Sequence, residues 1–174
     1  MTIVETERLV LRELEAARDA AFLLELLNTP KFIQYIGDRG VRNVDDAAAF
    51  IEHRYGASYR EHGYGLYVVG LRDSPDLRVG LCGFVRRDTL PGPDIGFSFL
   101  PEFERKGYGF ESAAAILRYG REVLDFKEVF AITTLDNDAS GRLLEKLGFA
   151  FREVIDSDGE QLKLYHIDLA AAGG

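Results

Sequence analysis

The stretch ERKGYGFES, Glu104 to Ser112, sets two cations, Arg105 and Lys106, before two glycines, Gly107 and Gly109, that flank Tyr108. Helical spacing begins here, yet glycine weakens a helix by about 1 kcal/mol relative to alanine. A helix start carries four backbone N–H groups with no partner inside the helix, and together with the macrodipole they attract anions. Glycine lets a bulky anion approach that backbone, and the two cations add charge beside it. A diphosphate suits such a site; a plain tight turn is the other reading of the same residues. The third glycine of the dinucleotide fingerprint is missing, and no Gly-Lys-Ser/Thr follows, so neither a Rossmann nor a Walker loop is present.

A second polar group stands in NDAS, Asn137 to Ser140. Asn137 suits a helix N-cap, and Ser140 suits a first-turn serine bonding local backbone. Ser140 also falls in register with Leu143, Leu144 and Leu147, which points it to the apolar side of its helix. His53, His62 and His166 are scattered with no matching cysteine or carboxylate spacing, so no metal site is indicated. Cys82 sits mid-strand among apolar neighbours and reads as a small buried hydrophobe.

These groups need elements to hold them. RLVLRE within Val4–Glu13 alternates and predicts a strand. Ala20, Leu23, Leu24 and Leu27 predict a helix stopped by Asn28 and Pro30. PKFIQYIGDRGVRN reads as a loop with room for a short helical turn. Asn43 heads a second helix, with Asp45 and Asp46 at its positive end. Tyr64–Leu71 and Leu77–Arg87 predict a hairpin across a turn at Asp73–Asp76, and Asp94–Leu100 a further strand. After the glycine helix, Glu128–Thr134 predicts a strand, Asn137–Gly148 a helix, and AFREVID and QLKLYHIDL a last hairpin. The order is β-α-α-β-β-β-α-β-α-β-β, about seven strands and four helices. The strand at Asp94 reaches the strand at Glu128 through the glycine helix, a crossover that makes this one pair parallel. The fold class is α+β, a mixed and mostly antiparallel twisted sheet flanked by helices.

The totals limit function. At 174 residues, a single domain over 1–170 with a frayed tail at 171–174 is expected. The net charge of −8 argues against a nucleic-acid partner, which needs a basic face. A lone cysteine forms no internal disulfide and fits a reducing compartment. No signal-peptide pattern opens the chain, and no apolar run approaches the roughly 20 residues of a membrane span. The expectation is a cytoplasmic protein without a membrane partner, monomer or homodimer.

Taken together, DIGFSFLPEFERKGYGFESAAAILRYG and NDASGRLLEKLGF, with the opening ETERLVLRE, resemble the GNAT superfamily of acyl-CoA-dependent N-acetyltransferases. The likeness is greatest to the branch that includes ribosomal-protein N-terminal acetyltransferases, and it spans nearly the whole chain. The resemblance implies acetyl-CoA as co-substrate and a primary amine as acceptor, either a protein N-terminus or a small molecule. It implies that the pyrophosphate rests on amides from Arg105 through Lys106, Gly107 and Tyr108 to Gly109. Pantetheine would lie along the strand ending at Phe99 and Leu100, in a splay between the central parallel strands. It further implies that Asn137 hydrogen-bonds the cofactor arm and that Ser140 protonates or stabilises the departing thiolate. Tyr108 either stacks on the ligand or packs.

Two residues depart from the family pattern. Glu104 stands where glutamine or arginine is common, and it is expected to face away from the phosphates. Leu144 stands where many members carry a tyrosine. For the general base the resemblance favours Asp94, on the strand beside the expected acceptor site, with Glu52, His53, His62 and His166 as the other candidates. Phe32, Tyr35, Tyr55, Tyr59, Tyr64 and Tyr67 divide between acceptor cleft and core. The rival readings are a non-catalytic acyl-CoA-binding module and a plain anion-binding or interaction domain.

Overall fold

A computed structural model describes residues 1–172, with side chains through residue 170. In chain order the elements are β1 (Thr2–Glu5), β2 (Leu9–Glu13), α1 (Ala16–Leu27), α2 (Pro30–Tyr35) and α3 (Val44–Phe50). A π-helical turn (Ile51–Gly56) joins α3 directly to α4 (Ala57–His62). Then come β3 (Leu66–Leu71), β4 (Ser74–Val85), β5 (Asp94–Phe99), a 3-10 turn (Pro101–Phe103) and α5 (Tyr108–Glu122). The chain continues with β6 (Glu128–Thr134), α6 (Asp138–Leu147), β7 (Ala150–Ser157), β8 (Glu160–Asp168) and α7 (Leu169–Ala172).

One eight-stranded sheet runs β1-β2-β3-β4-β5-β6-β8-β7, antiparallel at every junction except β5–β6. The count exceeds the expected seven because the opening stretch is a hairpin, not one strand. Thr6 N–H bonds the Leu9 carbonyl at 2.9 Å and closes its turn. The second hairpin also turns earlier than the expected Asp73–Asp76: Leu71 pairs with Ser74, and Ser74–Asp76 already belong to β4. In the last hairpin the turn is Asp158-Gly159, with φ of 51° and 82°. Left-handed φ at both positions matches the twist of the strands it joins.

Helices cover both faces of the sheet. Residue alternation sends Tyr67, Val69 and Cys82 toward α5 and α6, and Val68 and Leu81 toward α1 and the α3–α4 run. Fully buried Leu23, Leu26 and Leu27 seat α1, each stabilising by about 1.5–3 kcal/mol through burial. Asp19, with no exposed surface, holds α1 against the sheet. It accepts from Arg12 at 2.8 Å through both oxygens, from Arg78 at 2.6 Å and from the Glu15 amide at 2.8 Å. Burial alone would raise its pKa, but these donors hold it below the ordinary carboxylate range.

The loop expected after Pro30 is largely helix. Thr29 caps α2, and Pro30 stands at its first turn, where a missing N–H is harmless. The frayed tail expected from residue 171 falls partly outside the described residues. Residues 171 and 172 form the end of α7, whose Leu169 is buried in the core. No helix among the described residues is long and apolar enough to cross a membrane.

Candidate active site

The parallel pair β5–β6 meets at a single register position, Asp94 opposite Phe130, beside a 2.9 Å bond from Phe130 N–H to the Pro93 carbonyl. Beyond it the strands diverge, while β5 keeps a full ladder with β4 from Asp94 to Phe99. Backbone groups on the β6 side of β5 are thereby left for something other than a strand. A cleft of about 1240 Å³ opens there, lined by β5 from Asp94 to Phe99, by Ala131–Thr133 of β6, and by Asn137, Ser140, Arg142, Leu143 and Leu144 around α6.

At the far end of β5 lies the glycine stretch. The backbone amides from Arg105 to Phe110 donate to no other group of the described protein, and α5 has no side-chain cap. Gly107 is the N-cap, with φ 83°. Its first duty is therefore conformational. An added Cβ there would meet Arg8 Nη2 at 3.1 Å, on the side where Arg8 supports the loop. Arg105 also adopts a left-handed φ, 62°, unusual for a residue with a side chain. Gly109, Tyr108 and Arg105 line the cleft, as do Phe99 and Glu104. An added Cβ on Gly109 would lie 3.3 Å from Leu143 Cδ2 and 3.8 Å from Phe99 Cε2. Leu100 is buried in the core instead, and its N–H bonds the Val79 carbonyl at 2.9 Å.

The loop is fastened from behind by residues that sequence reasoning passed over. Arg8 Nη1 donates to the Lys106 carbonyl at 2.9 Å, and Arg8 Nε donates to Glu111 at 2.7 Å. The Thr6 hydroxyl donates to the other Glu111 oxygen at 2.5 Å, and the Arg8 guanidinium lies 4.6 Å from the Tyr108 ring centre. The signal was a TER tripeptide, but contacts across a hundred residues leave no periodicity to read. Glu104, expected to face away from the phosphates, is drawn to Lys31 of α2. It borders the cleft, and Lys31 meets its charge at 2.6 Å.

Asn137 accepts from Ser140 N–H at 3.3 Å through its side-chain oxygen, so it is the N-cap of α6. That bond orients the carboxamide and leaves its NH₂ donors without a described protein partner, on the cleft wall. The Ser140 hydroxyl is half-buried on the same wall and equally unpartnered, and Leu144 fills the position beneath it. Asp94 is almost wholly buried at the start of β5, where Arg87 Nε lies 3.2 Å from both its oxygens. Burial outweighs that arginine and pushes the carboxyl up to about 6.

The other candidates separate. His53 and His62 border the cleft, whereas Glu52 does not. His166 lies between Arg152 at 2.9 Å and Glu128 at 2.8 Å in a network on β8. Phe32, Tyr35 and Tyr55 line the cleft; Tyr59, Tyr64 and Tyr67 pack in the core. Burial pushes the Cys82 thiol up to about 12, which leaves it inert. Among the described residues no group of three or more His, Cys, Asp or Glu could hold a metal ion.

Comparison with known proteins places this geometry. The acetyltransferase (GNAT) domain family matches residues 8–150. Two Bacillus subtilis (strain 168) relatives are the uncharacterised N-acetyltransferases YoaA, 29% identical over 148 residues, and YnaD, 30% identical over 145. The alignments cover 84% of this chain and 82% of YoaA, and 83% of this chain and 81% of YnaD. A GNAT-family acetyltransferase of Bacillus anthracis superposes with a TM-score of 0.78 at 26% identity, covering 97% of this chain and 98% of that one. The ribosomal L7/L12 acetyltransferase RimL, solved with coenzyme A, superposes at 0.72 with 16% identity over 98% and 99% of the two chains. Spermidine N-acetyltransferase of Vibrio cholerae, solved with CoA and spermine, does so at 0.75 with 19% identity over 94% and 96%.

Proposed function

This chain belongs to the GNAT acetyltransferase family, and from that premise we propose that it is an acetyl-CoA-dependent N-acetyltransferase acting on a primary amine by direct attack in a ternary complex. The observation that carries the reading is the run of unpartnered amides from Arg105 to Phe110, set at the end of a strand that has parted from its parallel neighbour. Acetyl-CoA, when bound, supplies an activated acyl carbon as a thioester. The remaining work falls to the protein.

The loop amides, with Arg105 beside them, offer donors to a diphosphate at a helix start. Arg142, on the same wall and without an ion-pair partner among the described residues, adds a cation for phosphate. Free backbone groups of β5 and the Asn137 NH₂ orient an amide-bearing arm in the splay. Ser140 offers a hydroxyl to a departing thiolate, the role left open by Leu144. Asp94 takes the proton of the amine, directly or through water. An α-ammonium of pKa ~8 costs about 1.4 kcal/mol to deprotonate at pH 7 and a lysine about 4.6, so a base matters more for the second. A carboxylate with pKa about 6 is ionised at neutral pH and a stronger base than an ordinary one. Among the described residues no hydrogen-bonded Ser-His or Cys-His pair borders the cleft, so direct attack needs no group that the site lacks.

The test is thiol release from acetyl-CoA across an amine panel, with calorimetry of CoA binding alongside. Turnover with a defined amine supports the reading. Tight CoA binding with no amine turned over would favour a binding module, and absence of CoA binding would leave only an anion-binding domain.

A further inference from the structure

The end of the cleft remote from the loop has a charge that the proposed chemistry does not use. Arg39, from the segment after α2, His53 and Arg54, from the π turn, and Arg86 and Arg87, just beyond β4, are among the residues that line the cleft. Facing them are Asp94, already engaged by Arg87, and Glu61, which lies 3.9 Å from His62. Arg39 and Arg54 make no ion pair among the described residues; Arg54 has only the Phe50 ring, 5.6 Å from its guanidinium. Arg39 is half-buried, and both Arg54 and Arg87 stand close enough to oppose its charge. Arginines gathered in this way repel one another, in a chain whose net charge is −8. Asp94 answers Arg87, but no carboxylate pairs with Arg39 or Arg54 among the described residues.

The cluster is too far from the glycine loop to serve the same phosphates. Arg87 fixes its place at Asp94, the first residue of β5, and the loop follows the last. The six residues of β5 span about 17 Å, and the loop begins beyond them, after the 3-10 turn. The loop moreover has its own amides and Arg105. The π turn contributes to the arrangement: His53, Arg54 and Tyr55 are consecutive, yet all three border the cleft. A turn widened by one residue often marks such a site.

We propose that the acceptor is a small primary amine carrying its own carboxylate or phosphate within a few bonds of the nitrogen, with Arg39 and Arg54 holding that anion while the amine faces Asp94. This rests on the acetyl-transfer reading above. It separates this cleft from one suited to a polyamine, whose every nitrogen would bring charge of the same sign as the cluster. Guanidinium forks match carboxylate and phosphate oxygens, which gives Arg39 and Arg54 the role of specificity residues that position the acceptor and take no part in bond making.

The experiment compares matched pairs with saturating acetyl-CoA: glycine against glycinamide, O-phosphoethanolamine against ethanolamine, and spermidine as the polycation. The expected result is kcat/KM at least ~10-fold higher for the anionic member of one pair, as befits hydrogen bonds to a charged group. Glycinamide has the lower amine pKa and more free base, so chemistry alone would favour it. In Arg39→Gln/Arg54→Gln the preference should collapse through KM, with KM for acetyl-CoA unchanged, and Arg54→Lys should keep part of it. Calorimetry of glycine or O-phosphoethanolamine onto the CoA-bound protein should show binding that the double variant loses. Equal or better use of the neutral members or of spermidine overturns the proposal. So does a preference that survives in the double variant, or absence of anionic-amine binding to a protein that binds CoA. Failure of CoA itself to bind sinks the acetyl-transfer reading instead, and that measurement precedes the panel.

Discussion

Replacing Asp94 by asparagine should raise stability and lower activity, each in a defined range of pH. The wild-type carboxyl is almost fully buried and ionises at about 6, whereas an aspartate in the unfolded chain ionises near 3.9. The folded state therefore holds this proton more tightly. Below pH ~4 both states are protonated and the group contributes nothing to pH dependence. As pH rises from about 4 to about 6 the unfolded chain has released its proton while the fold retains it, so folding stability falls; above 6 the loss is complete. Two pKa units at 1.36 kcal/mol each come to about 3 kcal/mol. Asparagine matches the protonated carboxyl in shape and does not titrate. Arg87 is left without its partner but stays one-third exposed, where solvent can serve it. The stability difference between Asp94→Asn and wild type should thus be near zero at pH 4 and reach about 3 kcal/mol in favour of asparagine at pH 7.5. In a chain of this size that is several degrees of Tm. Urea unfolding of both proteins at a series of pH values measures the difference directly, because all other titrating groups cancel. Turnover should fall by on the order of 10²-fold or more if Asp94 is the base, and wild-type kcat/KM should drop about tenfold per pH unit below 6. A pH-independent difference, or a wild type that gains on the variant as pH rises, would refute the burial argument. Unchanged turnover in Asp94→Asn would refute the catalytic role alone.

Three further substitutions test the other groups. Ser140→Ala should lower kcat on the order of 10²-fold with CoA affinity little changed, measured by thiol release and calorimetry; affinity lost with turnover intact would place the hydroxyl in binding. Gly109→Val adds bulk against Leu143 and Phe99 at a helical φ and should weaken CoA binding on the order of tenfold or more while the protein still folds, as read by calorimetry and circular dichroism. Asp19→Ala leaves Arg12 and Arg78 without their shared carboxylate and should destabilise by about 3–5 kcal/mol in urea titration, with CoA affinity unaffected at temperatures where the variant is folded.

How much of this was legible in the sequence depended on how local the physics is. Asn43 and Asn137 announced two helix starts because a cap is decided within three residues, and both caps form as read. The parallel crossover at β5–β6 followed from handedness and connection length, which are also chain-local. The β1–β2 turn was missed because Thr6–Arg8 carries no glycine or proline. What makes that turn rigid is Glu111, a hundred residues on, which accepts from Thr6 and from the Arg8 backbone. The same distance hid the support of the glycine loop. Gly107 and Gly109 were grouped in the sequence by residue type, but only φ separates them: the first is needed for a left-handed cap, the second for space beside Leu143. The arginine cluster was illegible for a related reason. Arg39, Arg54 and Arg87 come from three segments that nothing but the folded sheet brings together, and a net charge of −8 conceals a basic pocket.

The unpaired polar groups of the protein gather along the cleft. Elsewhere the protein answers its buried charges: Asp19 receives donors on both oxygens, and Glu111 receives three. Along the cleft the opposite holds. The amides from Arg105 to Phe110 go without acceptors, β6 parts from β5 after one pairing, Arg105 holds a strained φ, and Asp94 is buried with a single lateral arginine. The left-handed φ of Arg105 costs about 1–3 kcal/mol, and the burial of Asp94 against one arginine lowers folding stability further. Such defects scattered over a fold would signify little. Here they fall in sequence along one strand, phosphate-sized donors at one end, a proton acceptor and arginines at the other, with the free edge of β5 between them. A binding module would need only the first part of that line. The buried carboxylate at the other end, raised to about 6 by burial and paired with Arg87, is the group that the proposed proton transfer adds to such a module, and Asp94→Asn is the substitution that separates the two.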